Sequence, residues 1–124
     1  MGARVLVVED DRSMLTMLIE MLNGWGYCTA GATSGVGALV EIERNCPDVV
    51  ISDLVMPGMD GLELLNAIRA QPDCAVTFFL ITGQATVSIA VDAITKGADE
   101  CLIKPFQPET LHERLERRGF KGDA

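Results

Sequence analysis

Short, wholly apolar runs alternate along this chain with stretches in which apolar residues return every three or four positions. Val5-Leu6-Val7-Val8 is apolar throughout and stops at Glu9-Asp10-Asp11. A run with no polar alternation suits a strand covered on both faces, as in a parallel sheet. From Ser13 to Trp25 the apolar positions form a broad helical stripe, and Asn23-Gly24 and Gly26 supply its stop. Tyr27 to Ala30 predicts a short second strand, and Ser34 caps a helix reaching about Arg44. Val49-Val50-Ile51 leads through Ser52 to Asp53. A loop with Pro57-Gly58 follows, and Asp60-Gly61 opens a helix to about Ala70. Ala75 to Ile81 is another buried-strand run, ended by Thr82-Gly83. Ala85 to Lys96 reads as helix with Gly97 as its stop, Glu100 to Ile103 as the last strand, and Pro108 to about Arg118 as the last helix.

The order is five strand–helix pairs with short connections. Such alternation implies a parallel sheet, right-handed crossovers and helices on both faces. A closed barrel of this type needs about 250 residues, and the chain has 124. The expectation is therefore an α/β, flavodoxin-like doubly wound fold: five parallel strands in the order 2-1-3-4-5 with five helices, residues 1–124 making one domain.

Composition narrows the function classes. There are 18 acidic and 10 basic residues, a net charge of −8. So acidic a surface repels a phosphate backbone, which argues against direct nucleic-acid binding. No apolar run approaches the roughly 18 to 20 residues of a membrane span, and the N-terminus lacks a signal-peptide core. Cys28, Cys46, Cys74 and Cys101 contain no C-x-x-C pair, and His112 is the sole histidine. Zinc therefore has no spacing signature. The cysteines read as reduced thiols of a cytoplasmic protein.

In open parallel sheets ligands bind beyond the carboxyl ends of the strands. Glu9, Asp10 and Asp11 follow the first strand, Asp53 the third, Thr82 the fourth and Lys104 the fifth. Singly, each is a commonplace: a helix-start acid, turn chemistry, a surface dipeptide. Jointly they put carboxylates, a hydroxyl and an ammonium on one edge. Clustered carboxylates repel, and a divalent cation relieves them. All-oxygen ligands point to Mg²⁺, with Mn²⁺ as a substitute, and to phosphoryl transfer. Asp53 is then a candidate nucleophile, with Thr82 and Lys104 meeting phosphoryl oxygens.

Several stretches carry a resemblance: Val5 to Asp11, Ser52-Asp53-Leu54-Val55-Met56-Pro57-Gly58-Met59-Asp60-Gly61, Ile81-Thr82-Gly83, Gly97-Ala98-Asp99 and Leu102-Ile103-Lys104-Pro105-Phe106. Over its whole length the sequence resembles the receiver domain of two-component response regulators. The resemblance implies that Asp53 accepts a phosphoryl group from a sensor histidine kinase or a histidine phosphotransfer domain. It implies that Glu9, Asp10, Asp53 and the Val55 backbone carbonyl hold the metal, with Glu9 in a slot usually held by Asp. Thr82 would hydrogen-bond the phosphoryl group, Lys104 would pair with it, and Lys104-Pro105 would be cis. Asp11 lies one place beyond the acidic pair and reads as a helix-start charge. The domain would catalyse only its own phosphorylation and dephosphorylation.

Two departures matter. The family's usual aromatic three residues before the lysine is Cys101, so the usual coupling of threonine to a swinging ring is in doubt. No output domain follows the last helix, which leaves a single-domain regulator and an excised fragment both open. The surface of the fourth helix, fifth strand and fifth helix is expected to report the signal to a downstream domain or protein. Met14 and Met17 are candidates for docking the phosphodonor. Val55 and Gln84, two places after the Asp and the Thr, suggest an intermediate to long phosphate lifetime. Gly35-Val36-Gly37 reads as helix-start packing, His112 as an exposed, weakly paired residue, and Trp25 and Tyr27 as helix-end packing. A phosphohydrolase with an aspartate nucleophile would need a second Asp where Val55 stands. A receiver-like interaction module working without phosphorylation is the other alternative, and its usual mark, loss of the Asp or Lys, is missing.

Overall fold

A computed structural model describes residues 2–83 and 86–123. Its elements run β1 (Arg4–Val8), α1 (Arg12–Gly24), β2 (Cys28–Ala32), α2 (Gly35–Arg44), β3 (Val49–Asp53), α3 (Gly61–Arg69), β4 (Thr77–Thr82), α4 (Val87–Thr95), β5 (Glu100–Ile103) and α5 (Pro108–Arg117). All pairings are parallel and the strand order is β2-β1-β3-β4-β5. This is the expected doubly wound α/β sheet.

Alternation along the strands divides the apolar side chains between two cores. Val5, Val7, Val49, Ile51, Phe79 and Ile81 face α1 and α5, meeting Leu18, Leu22, Leu111 and Leu115. Leu6, Val8, Val50, Phe78 and Leu80 face the other way, onto Ala38, Ile42, Leu64, Leu65, Ile68 and Ala93 of α2, α3 and α4. Of α4 only Ala93 is buried, while Val87, Val91 and Ile94 stand out in solvent.

The helix starts follow local chemistry. The Asp11 carboxylate accepts from the Ser13 and Met14 amides, which makes it the N-cap of α1. Ser34 caps α2 by accepting from the Gly37 amide. Asp60 and Glu63 form a reciprocal capping box on α3. Gly35 begins α2 because a Cβ there would meet the Met59 side chain at 2.8 Å. This is the packing role expected of that glycine stretch.

Two sequence expectations need correction. The cysteines are not all reduced thiols: Cys46 and Cys74 form a disulfide, with Cα atoms 5.8 Å apart, and only Cys28 and Cys101 are free. The cause is sheet register. Val49 pairs with Thr77, and each cysteine stands three residues ahead of its member of that pair. His112 is likewise neither exposed nor weakly held. Its ring stacks on Trp25, centroids 4.2 Å apart and planes 7° from parallel, joining the end of α1 to α5. Nearby, the Tyr27 hydroxyl donates to the Phe120 carbonyl. The Ala3 amide donates to Lys121 and the Asp123 amide to Gly26, so the last residues cross the amino edge of the sheet.

Candidate functional site

The carboxyl ends of β1, β3, β4 and β5 deliver Glu9, Asp53, Thr82 and Lys104 to one edge. The Lys104 ammonium bridges two of them, donating to Glu9 Oε1 and to Asp53 Oδ2 at 3.1 Å each. Glu9 is 3% exposed, and its other oxygen accepts from the Asp11 amide at 3.2 Å. Asp53 is largely covered, whereas Asp10 faces solvent. Glu9, Asp10 and Asp53 each offer a carboxylate oxygen, all within 4.8 Å of one another. Thr82 is buried beside them: its strand neighbour Ile81 pairs with Asp53, and its carbonyl accepts from the Lys104 amide at 2.8 Å. The Lys104-Pro105 bond is cis.

The loop from Leu54 to Asp60 is held at both ends. The Leu54 amide donates to Ile81, and the Gly61 amide returns to the Leu54 carbonyl at 2.8 Å. At position 61 a Cβ would collide with the Asp53 carbonyl oxygen, so only glycine lets α3 begin this close to the site. Val55 is exposed, whereas Leu54 and Met56 are buried in the core and Met59 packs against it, which pins the loop.

Charge at this edge is incompletely balanced among the described residues: Lys104 pairs with Glu9 and Asp53 and leaves Asp10 without a salt bridge. Burial pushes the Glu9 carboxyl above the usual glutamate value, as does the neighbouring Asp53 charge. The Asp11 amide and Lys104 offset only part of that rise. Burial alone would lower the Lys104 value, but its hydrogen bonds to Glu9 and Asp53, reinforced by their charges, raise it. Lys104 is thus held charged. A cluster of oxygen ligands with excess negative charge, and with neither thiolate nor imidazole among them, fits a hard divalent cation.

Beside Lys104 an apolar groove of about 530 Å³ runs between α1 and the start of α5. Met14, Met17 and Met21 line one wall, Pro105, Phe106 and Pro108 the other. Met17 is 52% exposed. The methionines were visible as a helical stripe in the sequence. The opposite wall has no such stripe, although Pro105-Phe106 directly follows the lysine. Cys101 is half-buried against the α2–α4 core, and burial pushes its thiol up. Gln84, invoked for phosphate lifetime, lies outside the described residues.

A strand-end carboxylate cluster bridged by lysine, on a 2-1-3-4-5 sheet, defines a class of phosphoacceptor domains. Residues 5–116 match the response regulator receiver domain, and the chain belongs to that family. It is a signalling domain of two-component systems. It is 36% identical over 123 residues to the DNA-binding response regulator MtrA of Mycolicibacterium paratuberculosis, covering 99% of this chain and 54% of that protein. It is 40% identical over 113 residues to the transcriptional regulatory protein ZraR of Salmonella typhimurium, covering 91% and 25% respectively. The chain thus spans about half the length of the first relative and a quarter of the second. Among solved structures, the Vibrio cholerae chemotaxis protein CheY4 superposes with a TM-score of 0.89 at 34% identity, covering 94% of this chain and 98% of that one.

Proposed function

We propose that residues 1–124 act as one cytoplasmic receiver domain in which Asp53 is the phosphoacceptor. The observation that carries this reading is the Lys104 ammonium shared between Glu9 and Asp53 at 3.1 Å from each. An Asp53 carboxylate oxygen attacks the phosphorus of a phosphohistidine on a sensor kinase or phosphotransfer domain. The P–N bond breaks, its electron pair leaves with the imidazole, and Asp53 becomes an acyl phosphate. Lys104 moves from the carboxylates to the incoming phosphoryl oxygens, to which the Thr82 hydroxyl donates. Glu9, Asp10, Asp53 and the Val55 carbonyl would hold Mg²⁺, or Mn²⁺ in its place, which supplies charge neutralisation for the phosphoryl group. The domain's catalysis is confined to this self-phosphorylation and to hydrolysis of the acyl phosphate by water, which returns the Asp53 carboxylate and releases inorganic phosphate.

The groove beside Lys104 supports docking of the phosphodonor on Met14 and Met17. A flexible thioether wall next to the reacting group suits an adaptable helical partner. Output runs through Thr82 to α4, β5 and α5, where Val87, Val91, Ile94 and Ile103 leave apolar surface for a downstream domain or protein. Cys101 on β5, paired with Leu80 and packed against the core, puts a small thiol where the family has a ring. The domain's own surface, acidic overall, does not engage nucleic acid.

Incubation with Mg²⁺ and acetyl phosphate tests the reading. The expected product carries one phosphate, stable to acid and labile to base and hydroxylamine, and lost in Asp53→Asn. Absence of labelling, or labelling that survives Asp53→Asn, overturns it.

A further inference from the structure

Cys46 and Cys74 lie at the amino edge of the sheet, opposite the carboxylates. Cys46 stands seven positions before Asp53, about 23 Å at the rise of a strand. Cys46 is exposed and belongs to neither apolar core; Cys74 is half-buried at the margin of one. The bond closes a loop across a sequence separation of 28, and the loop holds all of β3, the Asp53 loop and α3. Just beyond Cys74, the Val76 carbonyl accepts from Arg69, whose guanidinium also reaches Gly97 and Asp99. Neither cysteine lies in the strand ladder, and of the two only Cys74 packs against a core. The bond therefore lies at the margin of the fold, and its Cys46 end is exposed where a small molecule can approach it.

We propose that Cys46 and Cys74 are a reversible thiol-modification site whose substrate is a low-molecular-weight disulfide of the oxidised-glutathione class. The Cys46 thiolate, facing solvent, attacks one sulfur of the small disulfide, whose S–S bond breaks to release one thiolate. The resulting mixed disulfide on Cys46 is then attacked by the Cys74 thiolate. The second small thiolate leaves and the Cys46–Cys74 bond forms. Two electrons pass from the protein dithiol to the small disulfide, and the two protons given up by the cysteines end on the two released thiols. An excess of small thiol runs the steps backward, entering at the exposed Cys46 sulfur. The oxidised state restricts the unfolded chain across the segment that bears Asp53, so oxidation stabilises the domain. The site is separate from the carboxylate cluster and does not rest on its chemistry.

The test uses the full chain in a Cys28→Ser background, which removes the other exposed thiol. Reduced protein is equilibrated in graded mixtures of reduced and oxidised glutathione, alkylated and mapped by peptide mass. The expected result is loss of two alkylatable thiols together, one Cys46–Cys74 peptide, and a melting temperature about 5–15 °C above that of the reduced form. Cys74→Ser, which removes the resolving thiol, should trap one glutathione on Cys46 with no rise in melting temperature. Cys46→Ser should leave Cys74 largely unmodified. Cys46 and Cys74 remaining alkylatable under oxidising glutathione, glutathione accumulating on Cys101 instead, or oxidised and reduced forms melting together would each overturn the proposal. Circular dichroism of each variant reads its folding directly, and the redox titration of the Cys28→Ser protein stands without the further variants.

Discussion

The two edges of the sheet treat charge in opposite ways. At the carboxyl edge Glu9 and Asp53 share the Lys104 ammonium, and the Asp10 carboxylate stands beside them without a salt bridge among the described residues. At the amino edge of β5, Asp99 and Glu100 meet three arginines. Arg69 and Arg118 reach Asp99, while Arg114 and Arg118 reach Glu100 at 2.7 Å. The Asp99 carboxylate also accepts from the Phe78 amide at 2.8 Å, and Arg69 fills the Val76 and Gly97 carbonyls. Compensation is complete there and the pair holds α3, β5 and α5 together. Across the sheet it is left short, and a site short of positive charge is one that gains by taking up a cation. Burial takes effect on both acids, yet the outcomes differ in sign. Burial pushes Glu100 up, but hydrogen bonds from Arg118 and Arg114 reverse that and leave it lower than usual. Glu9, with one shared lysine, stays raised.

Substitutions at the two edges should therefore separate chemistry from stability. The largest effect is expected from Lys104→Met, which removes the ammonium bridging Glu9 and Asp53. Labelling of Asp53 by acetyl phosphate should slow about 100-fold, the scale of losing one preorganised donor, followed by intact-protein mass against time. An unchanged rate would place Lys104 outside the chemistry.

At the other edge, Glu100→Gln should leave labelling unchanged and cost about 1–2 kcal/mol at neutral pH, between the exposed and buried limits for ion pairs. Because the folded-state value of Glu100 is depressed, its contribution is present above the ordinary carboxylate range and is lost as pH falls through the folded-state value. Urea melts of the two proteins should thus converge in acid. A gap that persists there would mean packing rather than charge.

A third measurement addresses the uncompensated charge directly. Mg²⁺ at ten times its dissociation constant should add about 1.4 kcal/mol to stability by mass action, and Asp10→Asn should remove most of that gain. Equal stabilisation of the variant would disconnect the acids from the ion. The smallest effect is expected beside the site. Met17→Glu should slow transfer from the cognate kinase about fivefold, roughly 1 kcal/mol at an interface, with acetyl phosphate labelling unaltered. Parallel loss of both would place Met17 in the chemistry instead of the docking groove.

Much of this arrangement is legible in the sequence. Val5 to Val8 and Val49 to Ile51 lack polar alternation because both faces are covered, and that pattern survives in sequence. Glu100 to Ile103 and the Ser34 cap were read at their observed positions for equally local reasons. The second strand was less clear. Cys28 to Ala32 is an edge strand of small residues, so its pattern is weak and its end fell two residues short. What sequence could not supply was juxtaposition. The separation of Cys46 from Cys74 carries no signature, and only the pairing of Val49 with Thr77 brings them together. His112 showed its helix position but not that Trp25 would cover its ring. Lys104 was found through its context after a strand, whereas its sharing between Glu9 and Asp53 is a tertiary fact.

The strap formed by the last residues has a practical consequence. Ala3 and Lys121 are hydrogen-bond partners, and Asp123 reaches Gly26. A few glycines should be enough to splice these two ends, and fresh termini could then be opened in the exposed stretch around Gln71 to Asp73. Such a circularly permuted protein would keep each strand pairing while reversing which half of the sheet is synthesised first.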